Sequence, residues 1–63
     1  MKTSWGMYGA MRQAERDQFH RLNSSYERIL GRVLTEDQKR YLCECILAGQ
    51  PPIRARLDAL GAS

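Results

Sequence analysis

Apolar side chains recur three and four positions apart along most of this chain, the period of an amphipathic α-helix, and the alternation that marks a strand is absent. In the N-terminal half they fall at Trp5, Tyr8 and Met11, then at Phe19, Leu22, Tyr26, Ile29 and Val33. The second set is spaced 3-4-3-4, which suits a seam packed against another helix. Between the sets, Glu15 and Gln18 stand where apolar residues would, with only Ala14 nearby. Ser4 is a candidate N-cap. Asn23, Ser24 and Ser25 are poor helix formers, and Ser24 with Glu27 has the spacing of a capping box that would start a fresh helix. The heptad phase nonetheless runs straight from Leu22 to Tyr26. The pattern predicts one long N-terminal helix, with residues 23–25 as the place for a kink and Gly31 near its end. Asp17 and Arg21 would pair across one turn of its outer face.

Two shorter helices follow. Thr35 with Gln38 is a capping-box pair, and Glu36 and Asp37 put negative charge in the first turn, where the helix dipole favours it. Gly49 is a natural residue just past the C-terminus. Around this helix only Asp37, Arg40 and Glu44 form a polar stripe, and Tyr41, Leu42, Cys43, Cys45, Ile46 and Leu47 cover most of the rest. Such a helix is packed on more than one side. Pro51 and Pro52 stop it and start a third, in which Ile53, Leu57 and Leu60 repeat at i, i+4 and i+7 and Gly61 ends the element. The fold class is all-α: a single small helical domain over residues 1–63, a helical hairpin with an added helix, expected as a dimer.

Length sharpens the last point. With 63 residues, the ordering entropy and the apolar burial nearly cancel. Such chains lean on a disulfide, a metal or a partner. Cys43 and Cys45 lie two apart, about 200° round a helix, so they cannot bridge each other and read as small buried thiols of a reducing cytoplasm. One histidine, His20, and no CxxC or HxxxH spacing leave no metal site and no cofactor to expect. No apolar run is long enough for a membrane span or a leader peptide. The formal net charge of +3 is a mild bias toward acidic partners.

Enzyme motifs are missing, with no G-x-S-x-G, P-loop or G-x-G-x-x-G. Arg12, Arg16 and His20, four apart, describe a solvated basic edge, so the chain is not expected to be an enzyme. The head at residues 5–11 holds one Trp, one Tyr and two Met, types enriched in interface cores. Trp5, Met7, Tyr8, Met11 and Arg12 are therefore the candidate partner-binding residues, and core packing of Trp5, Tyr8 and Met11 is the equal alternative. Phe19, Leu22, Tyr26, Ile29, Val33, Leu42 and Ile46 are the candidate dimer interface, because the second helix carries more apolar surface than one short chain readily covers. Residues 35–63, ending Leu60-Gly61-Ala62-Ser63, are similar to the opening of a helix-turn-helix unit whose recognition helix is lacking. The basic residues (Arg12, Arg16, Arg28, Arg32, Lys39, Arg40, Arg54 and Arg56) are interleaved with acids, unlike a phosphate-tracking face. The function expected is that of a small regulator or inhibitor docking on a larger protein as a helical homodimer, and a reading frame of this length from Met1 suits it. A small DNA- or RNA-binding regulator is the second expectation.

Overall fold

The computed structural model describes residues 6–62, with side chains from Tyr8 onward, and among these residues there are helices and no strand. In chain order the elements are α1 (Gly6–Gly9), α2 (Gln13–Leu30), α3 (Glu36–Ala48) and α4 (Arg54–Ala62). The candidate cap Ser4 lies outside the described residues.

The N-terminal helical region is interrupted, and at residues 10–12 instead of 23–25. Gly6 and Gly9 weaken α1, which stops after one turn with the Met11 N–H donating to the Tyr8 carbonyl at 3.1 Å. Arg12 is extended (φ −76°, ψ 166°), and its backbone N–H donates to Glu15 Oε1 at 2.8 Å. Glu15, which looked like a gap in a seam, thus secures the start of α2. That helix then runs unbroken through Asn23, Ser24 and Ser25. Glu27 does not fold back on Ser24; its Oε2 accepts from Asn23 Nδ2 at 3.3 Å within the helix. Asp17 accepts from Gln13 Nε2 at 3.0 Å. Gly31 ends α2 in the left-handed region (φ 74°), with its N–H on the Glu27 carbonyl at 2.8 Å.

The start of α3 follows the capping-box pattern. The Gln38 N–H donates to Thr35 Oγ1 at 3.2 Å, and the Thr35 N–H donates to Gln38 Oε1 at 2.8 Å. Gly49 closes α3 at φ 70°. Pro51 and Pro52 lie ahead of α4, which begins at Arg54, so neither proline is its first residue. The Ile53 N–H is held by Tyr41 Oη at 2.9 Å. Gly61 does not end α4; it is helical and buried inside it.

α3 is the central element, packed against α2, α4 and α1, while α2 and α4 scarcely touch each other. Leu42, Cys43 and Leu57 are wholly buried, joined by Met11, Phe19, Leu34 and Ile46. The cover for α3 comes from its own chain, because α1 folds back to supply a third neighbour. The radius of gyration, 11.0 Å, matches the roughly 11 Å of a compact chain of this length. Of the apolar residues of α3, Leu47 stays exposed.

Gln38 is also fully buried. Its Nε2 donates to the Leu57 carbonyl at 3.0 Å, so one amide ties the first turn of α3 to α4. Arg32 Nη2 donates to the Gly61 carbonyl at 3.1 Å from the α2–α3 loop. A Cβ at Gly61 would strike Gln38, reaching its Cδ at 2.8 Å, and would press Arg32 Nη2 at 3.1 Å. Gln38 cannot swing aside without surrendering its bonds to Thr35 and Leu57. Gly61→Ala is therefore expected to lower stability despite alanine's advantage of about 1 kcal/mol in helices, with a net loss of about 1–2 kcal/mol from overpacking. Urea unfolding followed by circular dichroism measures it, and a variant as stable as the parent would contradict the contact.

Candidate protein-docking surface

The residues singled out in the sequence divide into three groups. Phe19, Leu42 and Ile46 lie inside a single chain, with Leu22 and Tyr26 half-buried at the edge of the same core. Ile29 and Val33 stay outside it, 57% and 73% exposed. The seam is thus used by the chain's own α3 over its first part and left uncovered over its last. Ile53 and Leu47 are the other large aliphatic side chains in water, 62% and 43% exposed.

The head is divided as well. Trp5 and the side chain of Met7 lie outside what the structure describes. Met11 is buried in the core. Tyr8 is half-buried against α2, edge-on to Phe19 with ring centroids 5.5 Å apart. Its Oη hydrogen-bonds His20 Nε2 at 2.8 Å. The Arg16 guanidinium sits 5.6 Å from the Tyr8 ring centre and donates to the Gly9 carbonyl at 3.2 Å. Arg16 is half-buried and His20 exposed, and these contacts join α1 to α2. Arg12 remains exposed.

Beside α2 lies an open groove of about 330 Å³, its walls formed by Gln18 and Leu22 on one side and Pro51 and Pro52 on the other, with Cys45 and Ile46 between. It lies between α2, the C-terminal end of α3 and the loop that follows α3. Seven residues on from Leu22, two helical turns along the same side of α2, comes exposed Ile29. Sequence reasoning missed this groove. Its one legible trace was Pro51-Pro52, which stiffens the wall facing Gln18.

On α2 the charged residues beside it are of both signs, Asp17 before Gln18 and Arg21 before Leu22. From residue 21 to residue 35 the charged residues are Arg21, Glu27, Arg28 and Arg32. Arg21 and Arg28 are exposed and immediately precede Leu22 and Ile29, while Arg32 precedes Val33. Glu27 is turned about 160° from Ile29 by the helical period and is engaged by Asn23.

Among the described residues no group of His, Cys, Asp and Glu could hold a metal ion, and no helix is long and apolar enough to cross a membrane. Leu60, Gly61 and Ala62 are helical, so the turn of a helix-turn-helix unit is not formed there. Compared with protein-family models, curated proteins and solved structures, the chain matches none.

Two predictions follow from burial. Phe19→Asp and Ile46→Asp each place a carboxylate in the core of one chain, so both should lose helicity by circular dichroism, whatever the state of association. Retained helicity would place these residues elsewhere. Cys43 is unpaired and wholly buried; burial, with Glu44 adding to it, pushes its thiol above the ordinary value of 9.0. The unfolded thiol then ionises first as pH rises, so this contribution to stability is complete below about pH 8.5 and declines on going through and above 9. Urea midpoints measured from pH 7 to pH 10 should fall less steeply for Cys43→Ala than for the parent; equal slopes would refute the effect.

Proposed function

We propose that this chain is a small protein-binding module, a regulator or inhibitor that acts by docking on a larger protein. The observation that carries the reading is the exposure of Ile29 in the last turn of α2 and of Val33 in the loop beyond it, beside a core in which the other large side chains among the described residues mostly close on one another. Burying an aliphatic side chain of this size contributes about 1.5–3 kcal/mol, so a partner that covers both gains binding energy this chain leaves unused. The adjoining groove adds apolar surface at Leu22, Ile46 and the two prolines. No catalytic step belongs to this reading. Two buried, unpaired thiols suit a reducing compartment such as the cytoplasm.

Trp5 and Arg12 of the head remain candidate partner contacts, Trp5 lying outside the described residues and Arg12 at the start of α2. Substitution of Tyr8 or Met11 acts on the fold as well, since one holds His20 and the other lies in the core. Self-pairing is a second reading, favoured by the 4-3-4 spacing of Leu22, Tyr26, Ile29 and Val33.

The test compares the parent with an Ile29→Asp/Val33→Asp variant as baits in the cells that make the protein. The expected result is a specific protein captured by the parent and lost with the variant, while helicity is unchanged. Identical capture by both would overturn the reading. Sedimentation velocity at micromolar concentration tests self-pairing: about twice the chain mass for the parent and the single-chain mass for the variant supports it, and a single-chain mass for both rules it out.

A further inference from the structure

We propose that Ser25 is a phosphorylation site whose phosphate is held by Arg21 and Arg28, and that the modification releases the docked partner. The release rests on the docking function above and supplies its regulation; the site itself does not need that function. The starting point is an oddity of α2. Asn23, Ser24 and Ser25 are weak helix formers in the middle of the longest helix, and both serines are exposed. Capping does not account for them, because the helix runs through them unbroken. Packing does not account for the serines either, since their side chains face water.

The side-chain neighbours of a helical residue are those three and four positions away. For Ser25 these are Arg21 and Arg28 on one side, about 40° and 60° round the axis, and Leu22 and Ile29 on the other. No carboxylate is among them. Asp17 lies about 12 Å down the axis from Ser25, and its carboxylate accepts from Gln13 Nε2 at 3.0 Å. Ser24 also has Arg21 and Arg28 as neighbours, but it has Glu27 as well, which would repel a phosphate there. The two arginines are uncommitted. Arg16, Arg32, Arg40, Arg54 and Arg56 are each engaged within the chain. Arg21 and Arg28 are exposed, with no hydrogen bond or ion pair among the described residues.

The phosphoryl group comes from a nucleoside triphosphate bound to a protein kinase. The Ser25 Oγ–P bond forms as the bond from the γ-phosphorus to the bridging oxygen breaks, the nucleoside diphosphate leaves, and the hydroxyl proton passes to the kinase's base. The weak helix formers at residues 23–25 make this the stretch of α2 that opens locally at least intrinsic cost, as an incoming kinase requires. Once made, the phosphate carries about −1.5 to −2 charge at pH 7 and three acceptor oxygens. Those oxygens suit the forks of Arg21 and Arg28. The same group stands between Leu22 and Ile29, so a partner covering Ile29 would have to desolvate it, and apolar contact there is disfavoured.

The experiment has three readings. Mass spectrometry of the chain isolated from the cells that make it should find phosphate on Ser25; none, or phosphate on Ser24 alone, would overturn the site. The full chain synthesised with phosphoserine at position 25 is then titrated by phosphorus resonance. Its midpoint should lie below the ordinary value of about 6 and return toward it in the Arg21→Gln/Arg28→Gln background. A midpoint indifferent to both arginines would refute their role. Finally, the unmodified and phosphorylated chains serve as baits in a lysate of the same cells with phosphatases inhibited. The protein held by the unmodified chain should bind the phosphorylated one about tenfold more weakly or worse, with helicity by circular dichroism retained. Equal binding, or weaker binding that comes with lost helicity, would overturn the release. Capture of nothing by the unmodified chain would defeat the docking function and the release together, while the first two readings would still decide the site.

Discussion

A buried amide must find its hydrogen-bonding partners away from water, or it costs more than an apolar group of the same shape. Gln38 meets that demand by joining the first turn of α3 to α4. Its carbonyl oxygen takes the Thr35 N–H and its amide nitrogen gives to the Leu57 carbonyl. The same residue that caps α3 therefore fixes where α4 lies. Gly61 lets α4 come that close, and Arg32 adds a second link to the same turn through the Gly61 carbonyl. Tyr41 of α3 holds the other end of α4, accepting from the Ile53 N–H and facing the Arg56 guanidinium, and the space between the loop through Pro51 and Pro52 and α2 stays open.

The rest of the molecule follows from this attachment. α3 has α4 on one side, α2 on another and α1 on a third, so Leu42 and Cys43 are closed off completely within one chain. Tyr8 and Met11 make α1 part of that enclosure, one through His20 and Arg16 and the other by burial. What the enclosure does not reach is the last stretch of the α2 seam. Ile29, in the last turn of α2, and Val33, in the loop beyond it, are left exposed by the packing of this chain.

Much of this was legible where the signal is local. Thr35 with Gln38, and Gly31 and Gly49 in the left-handed region, were recognisable because capping chemistry is decided within a few residues. The start of α2 was not, because Glu15 secures it through the backbone of Arg12, and arginine carries none of the usual N-cap signal. Gly61 was misread as a terminator, since a glycine near a helix end signals a stop while its real cause, the approach of Gln38, is 23 positions away in sequence. The seam told which residues of α2 are apolar but not which would remain exposed. That division depends on α1 turning back and on where α3 packs, and neither is a property of the α2 sequence.

A core closed within one chain lies beside Ile29 and Val33, which are open to water. Solvent relaxation of methyl resonances, measured on the dilute unbound chain with a dissolved neutral nitroxide, reads that division directly. The expected result is strong broadening of the Ile29 and Val33 methyl groups and little at Leu42, Leu57 and Ile46. Methyl groups of Ile29 and Val33 as sheltered as those of Leu42 would contradict it.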